Sequence, residues 1–209
     1  MRVGVLASGY GSNLQALLDA AAAGAPYTVS VVIANVAGAP ALERARRAGV
    51  PAHLVEHRGR PRQEFEADLL RLLREAGVDL VCLAGFLRIL SPWFVAHYRG
   101  RILNIHPALL PAFGGRGMYG LRVHEAVLAS GASCSGCTIH LVDETVDGGP
   151  ILAQATVPIL PQDTPETLAA RVAQAEHRLY PEVVRAIAVG QLLPEIRATS
   201  AQAASRAGG

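Results

Sequence analysis

Apolar and polar positions alternate along this chain in two rhythms. Short, nearly unbroken apolar runs at Val3 to Ala7, Val31 to Ala34, His53 to Val55 and Asp79 to Leu83 have the length of buried strands. Between them, Leu14 to Ala22, Pro40 to Ala48 and Arg62 to Ala76 carry apolar residues at helical spacing. Strand and helix thus succeed one another, which predicts right-handed crossovers and a doubly wound, mostly parallel sheet of the α/β class. Ser91-Pro92 opens a helical turn, Ile102 starts another strand, and Val123 to Ala129 is a short helix. Gly136 to Val142 and Ile151 to Ile159 read as a strand and its returning partner. Thr164 and Pro165 supply an N-cap and a first-position proline for a long helix reaching Ala188. No repeat or linker interrupts residues 1–193, so they are expected to form one domain. Residues 194–209, Ala- and Ser-rich from Thr199, are expected to be a disordered tail.

The polar residues that matter for chemistry fall where strands end. After the first strand, Ser8-Gly9-Tyr10-Gly11-Ser12-Asn13 turns into a helix. Glycines let a backbone approach an anion, and a helix amino terminus favours phosphate, so the turn is either a phosphate site or simply a tight turn. It does not fit a dinucleotide fingerprint, because Leu14 stands in place of the third glycine and Asn35 in place of the acid after the second strand. The mostly apolar run Ala84 to Leu90 suits a flat heteroaromatic ring, or else a core-packed loop whose Arg88 pairs with a carboxylate.

Ile102 and Leu103 lead into Asn104 and His106, and Pro107 and Pro111 stop the strand there. With a side-chain period of two, Asn104 and His106 point to the same side. An amide and an imidazole so placed either cap a turn or hold an oxyanion and move a proton. Residues 112–120 are glycine-rich and aperiodic, which predicts a mobile loop over the site. The turn 143–150 holds Asp143, Glu144 and Asp147 among glycines and either delivers one carboxylate to a histidine or is a solvated hairpin connection. Glu176 and His177, in the middle of the long helix, read as surface residues.

Composition narrows the choice. Of 209 residues, 51% are hydrophobic, enough for one large core. All 19 cations are arginine, which excludes a pyridoxal Schiff base, a Walker A lysine and any lysine nucleophile. A net charge of +2 without a basic run argues against nucleic acid and for a small-molecule partner. The first strand begins at Val3 and no run of about 18 apolar residues occurs, so a cytoplasmic protein without a membrane span is expected. Cys134 and Cys137 match C-x-x-C, but without a second pair or a helix start they read as structural thiols.

Taken together, Ser8 to Asn13, Ala84 to Leu90, Asn104-Ile-His-Pro-Ala-Leu-Leu-Pro111 and Asp143 to Gly149 resemble the phosphoribosylglycinamide formyltransferase family, in order and spacing, over residues 1 to 193. The resemblance implies the family's Rossmann-like sheet with an antiparallel edge. It also implies transfer of the formyl group of 10-formyltetrahydrofolate, a co-substrate, to the amine of glycinamide ribonucleotide in purine synthesis. Neither a metal nor a tightly bound cofactor is expected, and the chain would be a monomer or homodimer. On this resemblance Asn104, His106 and Asp147 are catalytic, with Asp147 raising the pKa of His106 so that a protonated imidazole serves the oxyanion. Gly11, Ser12 and Asn13 hold the phosphate, and Glu176 contacts the ribonucleotide. Arg62, Leu87, Arg88, Ile89, Leu90, Asn104 and Asp143 form the folate site. The chain departs from the family at Phe113-Gly114-Gly115, where an aromatic residue followed by Pro-Gly is usual. Formyltetrahydrofolate hydrolase and methionyl-tRNA formyltransferase share a similar trio but normally carry an extra domain. A nucleotide-binding protein that transfers no formyl group is the more distant alternative.

Overall fold

The computed structural model describes residues 1–192, and the expected tail lies outside them. Among these residues seven strands form one sheet in the order β3-β2-β1-β4-β5-β6-β7. Strands β1 (Arg2–Ala7), β2 (Thr28–Ala34), β3 (Ala52–Leu54), β4 (Leu80–Leu83) and β5 (Ile102–His106) run parallel. The last two, β6 (Cys134–Leu141) and β7 (Ile151–Pro158), add an antiparallel edge. Helices α1 (Ser12–Ala22), α2 (Pro40–Arg47), α3 (Arg62–Glu75), α4 (Pro92–His97), α5 (Leu121–Ala129) and α6 (Pro165–Ala188) complete the chain.

Boundaries differ from the sequence reading where polar residues hide an element. β2 begins at Thr28, three residues early, because Thr28, Val29 and Val31 pair with β1 through backbone bonds that side-chain pattern does not record. α1 likewise starts at Ser12, ahead of its first apolar residue. The caps are as expected. Thr164 accepts from the Thr167 amide while Thr167 accepts from the Thr164 amide, closing a capping box. Ser91 caps α4 by accepting from Phe94.

The two-residue period sorts the core into two layers. Val3, Val5, Leu103, Ile105, Ile139 and Leu141 face α1 and α6, while Leu6, Val81, Leu83 and Ile102 face α3 and α4. Gly4 marks how closely α3 approaches, since a Cβ there would lie 2.6 Å from the Leu73 side chain. Tyr180 of α6 is fully buried, and its hydroxyl lies 3.1 and 3.3 Å from the carbonyl oxygens of Leu83 and Leu103. The helix is thereby fastened to the end of β4 and the start of β5. Strand order reverses between β1 and β4, so a crevice opens at the carboxyl edge of the sheet, where α/β folds bind ligands. The turn after β1, the loop after β4 and the end of β5 all reach that edge.

Candidate active site

β5 delivers Asn104 and His106 to the crevice on the same side of the strand, beyond Ile102, while Leu103 and Ile105 turn to the opposite core layer. The antiparallel register of β6 sets His140 directly opposite Asn104. Its Nδ1 donates to the Leu141 carbonyl at 2.9 Å, which leaves Nε2 bare in the neutral ring. The Asn104 amide donates to that Nε2 at 3.1 Å, so His140 decides which end of the amide faces the crevice. Sequence reasoning missed His140. Its two-residue spacing from Thr138 was legible, but its pairing across 36 residues was not.

Asp147 closes the group from the turn 143–150. It adopts a left-handed backbone, φ 54°, and the chain can fold back behind it because Gly149 has no Cβ, which would lie 1.9 Å from the Leu141 carbonyl oxygen. Its carboxylate lies 3.6 Å from His106 Nδ1, 3.6 Å from His140 Nε2 and 3.5 Å from the Asn104 amide. The Gly115 amide donates to it at 2.9 Å. The other two acids go elsewhere: Asp143 accepts from the Thr145 amide and hydroxyl, and Glu144 sits 3.9 Å from Arg99. Only Asp147 meets the imidazoles.

The electrostatics correct one expectation. Burial disfavours charge on His106 more than Asp147 favours it, so its pKa lies below the ordinary imidazole value, not above. His106 is therefore neutral near pH 7. Its Nε2 donates to the Phe113 carbonyl at 2.8 Å, leaving Nδ1 with a free lone pair beside Asp147. Asp147 feels burial upward, but hydrogen bonding around it, the Gly115 amide included, brings its pKa below the usual carboxylate value. His124 of α5 also lines the crevice, and burial and His106 hold its pKa down. The glycine-rich loop 112–120 thus forms a wall bonded to both His106 and Asp147.

Two further regions complete a crevice of about 680 Å³. Beside one end, where Asn13 lines the crevice and Gly11 and Ser12 do not, Gly11 adopts φ 77° at the start of α1, and no side chain caps the helix. A Cβ there would come within 2.9 Å of Ala41, so the turn is pressed against α2. The first amides of Ser12 and Asn13 lack intrahelical partners. The Asn13 side-chain amide donates to Glu176 at 2.8 Å. Glu176 is not a surface residue: it is 8% exposed, lines the crevice, and burial raises its pKa.

At the other end, Leu87, Arg88, Ile89 and Leu90 line the crevice with Asp143 and Val142. Leu87 and Ile89 are 62% and 49% exposed, an apolar surface facing open space. Arg62 is not among the lining residues. Its guanidinium donates to the Ile89 carbonyl and pairs with Glu66, bracing the wall from α3. The three cysteines are free; Cys134 is exposed, and burial pushes Cys137 up to about 12.

Comparison with known proteins supplies the family. A family model described as formyl transferase matches residues 1–184. Phosphoribosylglycinamide formyltransferase of Escherichia coli (strain K12) is 43% identical over 92% of this chain and 89% of its own. The trifunctional purine biosynthetic protein adenosine-3 of Drosophila pseudoobscura pseudoobscura is 49% identical over 91% of this chain, which spans only 14% of that longer protein. Among solved structures, glycinamide ribonucleotide transformylase 1 of Symbiobacterium toebii superposes with a TM-score of 0.88 at 48% identity, covering 93% of this chain and 91% of that one. The chain therefore belongs to the formyl transferase family and, within it, to the phosphoribosylglycinamide formyltransferases, enzymes that move a one-carbon formyl group.

Proposed function

We propose that this chain transfers the formyl group of 10-formyltetrahydrofolate directly to the amine of glycinamide ribonucleotide. The observation that carries the proposal is the placement of Asn104, His106 and Asp147 in one crevice between an uncapped helix start and an exposed apolar wall. The helix start with Ser12 and Asn13 suits a phosphate, Glu176 suits a ribose hydroxyl, and the wall suits a pterin ring. Both substrates are bound together, with the formyl carbon at the end of β5.

The chemistry follows from where charge develops. The amine attacks the formyl carbon, a carbon–nitrogen bond forms, and the carbonyl oxygen becomes an oxyanion while the nitrogen becomes an ammonium. Asn104 gives one hydrogen to His140 and directs the other toward Asp147 at 3.5 Å, a long bond from which that hydrogen turns to the oxyanion. Neutral His106 takes the surplus proton on Nδ1, and the adjacent Asp147 carboxylate stabilises the imidazolium so formed. That proton passes to the folate nitrogen as its bond to carbon breaks, so atoms and charge balance without a covalent intermediate. One backbone amide of the wall is already engaged, because Leu87 donates to Ser8.

An assay offering glycinamide ribonucleotide and 10-formyltetrahydrofolate, followed by released folate, tests the proposal. Turnover with the ribonucleotide supports it. Folate release at the same rate with water or with methionyl-tRNA as acceptor overturns it in favour of a hydrolase or a tRNA enzyme.

A further inference from the structure

The apolar wall sets a physical problem. Leu87 and Ile89 hold their side chains toward water, and a loop free to move would turn such side chains inward. Polar groups behind the wall hold its backbone. Ile89 is held from α3 by Arg62, and Leu87 is held by Ser8, the residue that follows β1 and opens the glycine turn.

Ser8 is 8% exposed and makes three bonds. Its amide donates to the Gly85 carbonyl at 3.1 Å. Its hydroxyl accepts from the Leu87 amide at 2.8 Å and donates to Asn35 Oδ1 at 2.7 Å. A hydroxyl has one hydrogen, and Asn35 claims it, so the oxygen can only accept from Leu87. Asn35, 2% exposed, is itself fixed, with His57 Nδ1 donating to its backbone carbonyl oxygen at 2.9 Å. His57 packs edge-on against Phe65 of α3.

We infer that Ser8, oriented by Asn35, is a positioning residue for the wall that receives the folate ring. The inference rests on the folate reading of the wall proposed above. It also means that one residue anchors the loop after β4 while leading into the proposed phosphate turn, yet its hydroxyl serves only the former. The hydroxyl's loss should therefore affect one substrate.

The test compares Ser8→Ala, Asn35→Ala, Asn35→Asp and the Ser8→Ala/Asn35→Ala double variant with wild type. Measured are kcat, KM for 10-formyltetrahydrofolate and for glycinamide ribonucleotide separately, thermal midpoint, and hydrogen exchange of the Leu87 amide in the ligand-free chain. Ser8→Ala is expected to raise the folate KM about 5- to 10-fold and to speed Leu87 exchange, with kcat and the ribonucleotide KM within about twofold. Asn35→Ala should match it, and the double variant should be no worse than either single one, because both break one chain of bonds. Asn35→Asp keeps an acceptor for the Ser8 hydrogen and should restore Leu87 protection.

Unchanged Leu87 exchange in Ser8→Ala overturns the inference, as does an equal rise in both KM values or an additive double variant. Exchange is read without substrate, so it separates failure of this clamp from failure of the functional proposal. Slow wild-type exchange with no formyl transfer would sink the functional proposal, and the folate role of the clamp with it. Transfer-competent wild type with an unprotected Leu87 amide would sink the clamp alone.

Discussion

The end of β5 and the loop after β4 are neighbours that invert the usual rule of burial in opposite directions. At β5 two polar side chains stand at the edge of the core, and His106 is 3% exposed. After β4 two large apolar side chains stand in the open, Leu87 at 62% and Ile89 at 49%. Each arrangement is costly alone and is held by groups behind it, His140 and Asp147 in one case, Ser8 and Arg62 in the other. Buried polar groups are suited to stabilising developing charge, and exposed apolar groups to receiving a flat ring. The two regions should therefore fail differently when broken, the first in kcat and the second in KM.

The largest effect is expected at β5. His106→Ala and Asn104→Ala should each lower kcat by about 10²- to 10³-fold while folding normally, as circular dichroism and steady-state rates would show. Near wild-type turnover in either variant would remove that residue from the mechanism.

Asp147→Asn keeps shape and removes charge, and a loss of about 10²-fold in kcat is expected. The sign of its pH effect is determined. Wild-type rate depends on neutral His106 and falls as pH drops below that residue's depressed pKa. Without the carboxylate the pKa falls further, so the acid limb of the profile should move to lower pH while the plateau drops. Asp143→Asn and Glu144→Gln should move neither. Stability follows the same group: the unfolded chain takes up His106's proton from about 6.5 downward, the folded chain only lower, so stability from this group is lost as pH falls through that window. Urea midpoints against pH should flatten there in His106→Ala.

Asn13→Ala separates the two ends of the crevice. About a tenfold rise in KM for the ribonucleotide is expected with folate KM unchanged. The reverse result would mean that the ends are exchanged. Leu87→Ala should raise the folate KM about fivefold and leave the thermal midpoint nearly unmoved, because the side chain is already exposed. The smallest effect belongs to neither region. Tyr180→Phe should cost about 1 kcal/mol of stability, measured by urea unfolding, with both KM values unchanged.

Sequence alone determined whatever depends on neighbours in the chain. The βα alternation, the Thr164 and Ser91 caps, the glycine turn and the shared side of Asn104 and His106 follow from periods of 3.6 and 2 and from local hydrogen bonding. Choosing Asp147 among three acids came from family resemblance; in the structure its positive φ sets it beside the imidazoles, while Asp143 is engaged with Thr145. Tertiary structure alone decided the rest. His140 became the partner of Asn104 through a strand register spanning 36 residues, and Glu176 was buried by α6 meeting α1. Arg62 was turned to brace the wall, and Ser8 became its anchor through loops far apart in sequence. The direction of the His106 pKa was beyond sequence for the same reason. It is the balance of desolvation against a neighbouring charge, and both are fixed only once distant segments have packed around the ring.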